Sequence, residues 1–222
     1  METVMKPLRI LIADDHDLMR RGVRTLIQAH AGWETCGEAK TGREAVARVQ
    51  ELKPDVLILD ISMPDLNGVE AAKRIRKASP STDILILSMH YSDQLIRELV
   101  DAGVRGYIIK SDSDRELVIA IETLAQHKPY FTFHATEVIL GRYHAGGRGG
   151  EAPELVSDRL TSREREIVQL LAEGKSSKDV ASSLGISVKT VETHRANLMR
   201  KLELHSVSEL VRYAVRNQIV EA

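Results

Sequence analysis

Val56-Leu57-Ile58-Leu59-Asp60-Ile61-Ser62-Met63-Pro64-Asp65-Leu66-Asn67-Gly68 is an apolar run that ends on a carboxylate and then turns. Unbroken apolar residues predict a strand buried on both faces. Pro64 and Gly68 mark a tight loop behind it. Similar runs lie at Leu8–Ala13, Ile84–Leu87 and Tyr107–Ile109, with a weaker one around Glu34–Gly37. Between them stand helical stripes: Ala45, Val46, Val49 and Leu52; Leu95, Ile96, Leu99 and Val100; Leu117, Ile121 and Leu124. This alternation predicts an α/β fold, a doubly wound five-stranded parallel sheet covered by helices on both faces. In such sheets reactive groups gather at the carboxyl ends of the strands. Asp14 and Asp15, Asp60, Ser88 and Lys110 all follow predicted strands directly.

From Thr161 onward the pattern is wholly helical, through Ile167, Leu170 and Leu171, then Val180, Ala181 and Leu184, then Val191, Leu198 and Leu202, then Leu210, Val211, Ala214 and Val215. Thr161 with Glu164 and Ser206 with Glu209 have capping-box spacing, Ser176 or Ser177 and Ser187 supply further starts, and Gly174 and Gly185 supply stops. A small all-α domain of four helices is predicted. Between the two parts, Pro129–Tyr143 has the composition of a helix, and four glycines between Gly146 and Gly150 mark a linker. The expected division is a first domain over 6–128, a linker over 129–157 and a second domain over 158–219.

The 222 residues, 43% hydrophobic and 28% charged, have an ordinary globular balance. The formal net charge is −1, yet Asp158–Asn217 holds 11 Lys and Arg against 8 Asp and Glu. The basic excess therefore lies in the helical part, where nucleic acid is an expected partner. One cysteine, Cys36, excludes an internal disulfide and suits a reducing compartment. Met1–Pro7 has no apolar signal region, and no run reaches the roughly 18 apolar residues of a membrane span. A cytoplasmic location with no membrane partner is expected.

The strand-end residues fit phosphoryl chemistry. A carboxylate that attacks phosphorus holds the group as an acyl phosphate, and its anionic oxygens then need a divalent cation among so many carboxylates. Asp14, Asp15 and Asp60 supply hard oxygen ligands that favour Mg²⁺, and no His or Cys cluster has zinc-ligand spacing. Lys110 and the Ser88 hydroxyl suit the phosphoryl oxygens. Each residue alone has a plainer reading: a helix cap, a turn, a strand end, a solvated lysine. Their joint order after the predicted strands favours the site.

With these residues the chain resembles the receiver domains of two-component response regulators. The motifs are Asp14-Asp15, Asp60-x-x-Met63-Pro64-x-x-x-Gly68, Ser88 and Gly106-Tyr107-x-x-Lys110. The resemblance implies a flavodoxin-like fold in which Asp60 accepts phosphate from a sensor histidine kinase. It also implies Mg²⁺ held by Asp14, Asp60 and the Ser62 main-chain carbonyl, with Asp15 contributing through water or directly. Ser88 and Tyr107 would be the switch pair. Met89 stands where many receivers have a smaller residue, and its bulk is expected to shield the acyl phosphate.

In the predicted helix Val188–Lys201, Val191, Leu198 and Leu202 lie close to one line, while Lys189, Thr193, Ala196 and Arg200 lie opposite. A helix, a turn at Gly185 and a cap at Ser187 before it predict a helix-turn-helix whose second helix enters the major groove. Leu160-Thr161-x-Arg163-Glu164-x-Glu166, Val180-Ala181 and Ser187-x-x-Thr190-Val191-x-x-His194-x-x-Asn197 resemble the LuxR-type helix-turn-helix. The whole chain is then similar to NarL/FixJ-type response regulators. Ser187, Lys189, Thr190, Glu192, Thr193, Arg195, Asn197 and Arg200 are the candidate contacts to double-stranded DNA. Glu192 and Thr193 are expected at base edges, Lys189, Arg195, Asn197 and Arg200 mostly on phosphates, and His194 in packing. The resemblance implies that phosphorylation frees this helix and promotes self-association into a dimer, with RNA polymerase as a further candidate partner. Leu210, Val211 and Ala214 either supply the dimer seam or close the core of their own domain.

Two other functions compete. A phosphatase with an aspartate nucleophile typically carries a second aspartate two residues on, where this chain has Ser62, so catalysis is expected only on Asp60 itself. A receiver that docks proteins without phosphate would not need the full set of pocket residues.

Overall fold

The computed structural model describes residues 6–89, 91–111, 114–146 and 160–220. Elements run β1 (Leu8–Ala13), α1 (Asp17–Gln28), β2 (Trp33–Ala39), α2 (Gly42–Leu52), β3 (Val56–Leu59), α3 (Gly68–Ala78), β4 (Asp83–Ser88) and α4 (Asp93–Asp101). Then come β5 (Gly106–Ile109), α5 (Asp114–Ala125), β6 (Tyr130–Phe131) and α6 (Phe133–Gly146). The last four are α7 (Ser162–Ala172), α8 (Ser177–Leu184), α9 (Val188–Lys201) and α10 (Val207–Arg216). The chain divides into two compact units, one built on the sheet and one on α7–α10.

The sheet has six parallel strands in the order β2-β1-β3-β4-β5-β6. The strand order reverses beside β1, which places the switch point of the doubly wound fold next to β3. On one face Ile10, Ile12, Val56, Ile58, Leu85, Leu87 and Ile108 pack with Val23 and Ile27 of α1 and Leu117, Ile121 and Leu124 of α5. The alternate strand residues Leu11, Leu57, Ile84 and Ile86 are as deeply buried, as are Val49, Ile75, Ile96 and Leu99 of α2, α3 and α4. Burial on both faces is why these strands read as continuous apolar runs.

The sequence predicted five strands, and the sixth corrects it. Tyr130 and Phe131 pair in parallel with Gly106 and Tyr107, on the β5 edge. The helix expected over Pro129–Tyr143 starts only at Phe133. Residues 130–146, within the stretch expected as a linker over 129–157, group with the sheet unit. The glycine-rich part of that linker lies, from residue 147 on, outside the described residues.

In the helical unit the predicted caps form. Thr161 and Ser176 each make a full capping box, with Glu164 and Asp179, and Ser187 and Ser206 accept from the Thr190 and Glu209 amides. Gly185 ends α8 at φ +62°, a left-handed turn that favours glycine, and its Cβ position is open space.

Gly68 has the opposite constraint. A Cβ there would stand 2.1 Å from the Asp60 carbonyl oxygen and 2.8 Å from Ile61 Cα, both backbone atoms. Gly68→Ala is therefore expected to destabilise the sheet unit by about 1–3 kcal/mol or more, the usual cost of overpacking. Thermal unfolding of the variant checks this; an unchanged Tm would contradict the close approach.

Candidate phosphoacceptor pocket and nucleic-acid interface

Ladder hydrogen bonds bring the strand ends together. Asp60 N–H donates to Ala13 O at 2.8 Å, Asp14 N–H to Ala39 O at 3.1 Å, and Lys110 N–H to Ser88 O at 2.8 Å. These bonds register the ends of β1, β3, β4 and β5 at one rim. Lys110 Nζ then stands 2.8 Å from Asp14 Oδ2 and 2.8 Å from Asp60 Oδ2, with all three side chains buried. Asp60 Oδ1 accepts from the Ile61 amide at 2.8 Å, and Asp14 Oδ1 from the His16 amide at 2.7 Å.

Burial pushes the Asp60 carboxyl up from its ordinary value; Lys110 and the Ile61 amide pull it back, and the Asp14 charge adds to the rise. Burial also opposes the Lys110 charge, but its contacts to Asp14 and Asp60 outweigh that and hold the ammonium above its ordinary value. The pocket is thus a buried ion triad with one carboxylate more than it has cations.

The pocket fits a divalent cation. Donor atoms of Asp14, Asp15, His16 and Asp60 lie within 4.8 Å of one another. Asp14 Oδ2 and Asp60 Oδ2 are buried and share the Lys110 ammonium, and each carboxylate is a hard oxygen donor of the kind a divalent cation takes. Asp15 is exposed at the rim and Ser62 is half-buried in the loop behind Asp60. Ser88 is buried at the end of β4. Tyr107, fully buried on β5, pairs with Ile86, so Ser88 and Tyr107 share one face of the sheet. Met89, expected as a shield, is 62% exposed.

Two residues of this site were missed in the sequence. His16 Nδ1 lies 2.8 Å from Asp15 Oδ1 and 3.4 Å from Asp14 Oδ1. Arg20 is buried, donates to Asp14 O at 2.7 Å and to Glu38 Oε2 at 3.2 Å, and pairs with Asp17. Its signal is a cation a few residues after Asp14, Asp15 and Asp17, but nothing in the spacing shows that it turns inward.

In the second unit Val191 and Leu198 are buried, while Ser187, Lys189, Thr190, Glu192, Thr193, Ala196, Asn197 and Arg200 are exposed. Leu202, His194 and Arg195 are half-buried. The Ser187 hydroxyl accepts from the Thr190 amide at 3.0 Å and lies 2.8 Å from the Thr190 hydroxyl, which commits both to the cap of α9. Thr193 Oγ1 donates to Lys189 O at 2.9 Å, so it offers its methyl and lone pairs outward. Arg200 donates to Asn197 Oδ1 at 3.2 Å.

Of the two readings of α10, Leu210 and Ala214 take the positions of core residues. Leu210 is 1% and Ala214 0% exposed, packed with Ile167, Leu170, Val180 and Val191. Side chains that close their own core have no surface left for a second copy. Val211 is half-buried, and Val207, 46% exposed, stands one turn before it.

Residues 10–122 match the response regulator receiver domain, and residues 158–214 match the bacterial regulatory proteins of the luxR family. The chain is 37% identical over 218 residues to the oxygen regulatory protein NreC of Staphylococcus epidermidis, covering 96% of this chain and 100% of that one. It is 33% identical over 214 residues to the response regulator protein VraR of Staphylococcus aureus, covering 96% and 99%. A structure of RcsB from Salmonella enterica serovar Typhimurium, bound to promoter rprA in the presence of the phosphomimetic BeF3⁻, is similar with a TM-score of 0.61. Its identity is 26%, over 93% of this chain and 98% of that one. Among the described residues no helix is long and apolar enough to cross a membrane.

The excess carboxylate has a cost that can be measured. Because the folded-state value of Asp60 is raised, the folded protein binds a proton there more tightly than the unfolded chain, and stability falls as pH rises through that window. Asp60→Asn is expected to raise the Tm of metal-free protein at neutral pH by about 2–4 °C, the response of a chain this size to ~1 kcal/mol. The gain should vanish below the ordinary carboxylate range; thermal melts against pH check it, and a lower Tm for the variant at neutral pH would contradict it.

Proposed function

The chain belongs to the two-component response regulators with a LuxR-type DNA-binding domain, and from that premise we propose that Asp60 is the phosphoacceptor through which a sensor histidine kinase controls DNA binding by α9. The observation that carries this reading is the buried contact of Lys110 with both Asp14 and Asp60 at the rim of the sheet. An ionised Asp60 Oδ2 forms the new bond to phosphorus, and the P–N bond of the donor phosphohistidine breaks with its electron pair leaving on the imidazole. Lys110, freed from one carboxylate as its charge is taken up by the phosphoryl group, stays within reach of a phosphoryl oxygen. The Ser88 hydroxyl takes another, and Tyr107 follows it on the same face.

Asp14, Asp15, Asp60 and the Ser62 carbonyl would hold Mg²⁺. When bound, that ion neutralises the charge that the phosphoryl oxygens bring among the carboxylates. The catalysis is confined to this residue: the chain assists its own phosphorylation and dephosphorylation and turns over no separate substrate. The work of such a protein lies in the cytoplasm, beside the chromosome.

On α9, Glu192 and Thr193 read base edges and Lys189, Arg195, Asn197 and Arg200 hold phosphates, while Ser187 and Thr190 present the helix start. Phosphorylation frees this helix and promotes a dimer that reads paired half-sites, with exposed Val207 and half-buried Val211 of α10 available to a seam. That a similar chain, RcsB, is bound to a promoter in the presence of a phosphomimetic supports a link between the acceptor site and DNA binding. RNA polymerase is the further partner proposed for the DNA-bound form.

Genomic fragments selected by the phosphorylated protein are expected to bind at least about tenfold tighter after acetyl phosphate treatment than before, and the Asp60→Asn protein to show no gain. Equal affinity in all three states overturns the control scheme. Lys189→Ala and Arg200→Ala should each weaken binding to every sequence alike and reduce the salt slope by about one. Fluorescence anisotropy over a salt series measures it; a loss confined to selected sequences would move either residue to base reading.

A further inference from the structure

We infer that Arg20 is a positioning residue of the acidic pocket: its buried guanidinium fixes the Asp14 main chain and so sets how tightly the pocket takes Mg²⁺. This deepens the phosphoacceptor reading of the same pocket and rests on it. Arg20 stands in the first turns of α1, and its side chain turns back over the start of the helix, the direction that helical side chains favour. There it serves three elements at once. Nε donates to Glu38 Oε2 on β2 at 3.2 Å, one terminal nitrogen donates to the Asp14 carbonyl at the end of β1 at 2.7 Å, and the other pairs with Asp17 at the start of α1. A guanidinium holds such a set in one rigid, planar fork, whereas a lysine ammonium is a single point on a flexible stem.

Asp14 is thereby held on every side but one. Its N–H donates to Ala39 O at 3.1 Å, its carbonyl accepts from Arg20, its Oδ1 accepts from the His16 amide at 2.7 Å, and Oδ2 meets Lys110 at the mouth of the pocket. Mg²⁺ demands near-octahedral geometry with ligands at about 2.0–2.1 Å, so a carboxylate free to wander binds it poorly. The charge of Arg20 acts in the opposite sense, because a guanidinium beside the acidic pair repels a divalent cation. Fork and charge therefore push Mg²⁺ affinity in opposite directions, and substitutions separate them. Arg24, on the same helix, supplies a control, since it pairs with the other Glu38 oxygen at 2.6 Å.

Wild type, Arg20→Met, Arg20→Lys and Arg24→Met, all full-length, test this through three readings: calorimetric titration with MgCl₂, labelling by acetyl phosphate over a MgCl₂ series, and hydrogen exchange of the His16 amide in metal-free protein. Mg²⁺ affinity is expected to fall about tenfold in Arg20→Met, the low end of what losing a residue that orients a metal ligand costs. Arg20→Lys, which keeps the charge and the stem but not the fork, should lose about threefold or more. The Mg²⁺ concentration for half-maximal labelling should rise to match while the rate at saturating Mg²⁺ moves less than about twofold, and the His16 amide should exchange faster in both variants. Arg24→Met should stay within about twofold of wild type in every reading. If Arg20→Met does not fold, Arg20→Lys decides by the same readings. Unchanged Mg²⁺ affinity in Arg20→Lys, tighter binding in Arg20→Met, or an equal loss in Arg24→Met overturns the inference while leaving the pocket reading intact. If wild type neither binds Mg²⁺ nor is labelled on Asp60, the pocket reading itself fails and the inference with it.

Discussion

A single ammonium between two buried carboxylates is the constraint on which the sheet unit depends. Lys110 reaches Asp14 and Asp60 at equal distance because β5, β3 and β1 end at the same rim. Buried charges are costly unless paired, and here three charges share one pairing with an excess negative charge. Burial and that excess raise the Asp60 carboxyl above its ordinary value, and on the proposed function a cation and a phosphoryl group would complete the balance.

Much of this was legible in the sequence because burial on both faces writes itself as unbroken apolar runs. β1, β3, β4 and β5 stood out for that reason, and the reactive residues followed each run directly. β6 did not. Two residues, Tyr130 and Phe131, give no periodicity, and their strand exists through pairing with β5 and not through local preference. His16 and Arg20 were hidden differently: a histidine after two aspartates and an arginine on an amphipathic helix both read as surface residues until the backbone sets their direction. Arg20 reaches inward to the Asp14 carbonyl and so steadies the loop that presents the acidic pair.

The helical unit was legible through its ends. Four side-chain caps mark the helix starts, and two left-handed glycines, Gly174 and Gly185, follow the ends of α7 and α8. The inner and outer faces of α9 followed from spacing alone. For α10 spacing was not enough, since a stripe that closes a core and a stripe that meets a second copy have the same period. Burial decided it: Leu210 and Ala214 face inward, and the residues left outside are Val207 and, in part, Val211.

The proposed function requires Asp60 to be a nucleophile and not merely a ligand. Incubation with acetyl phosphate and Mg²⁺, followed by borohydride reduction and peptide mass spectrometry, locates any acyl phosphate. One adduct is expected, on Asp60, absent from the Asp60→Asn protein and diminished in Lys110→Ala. An adduct on another residue, or none while the cation is shown to be bound, would contradict it.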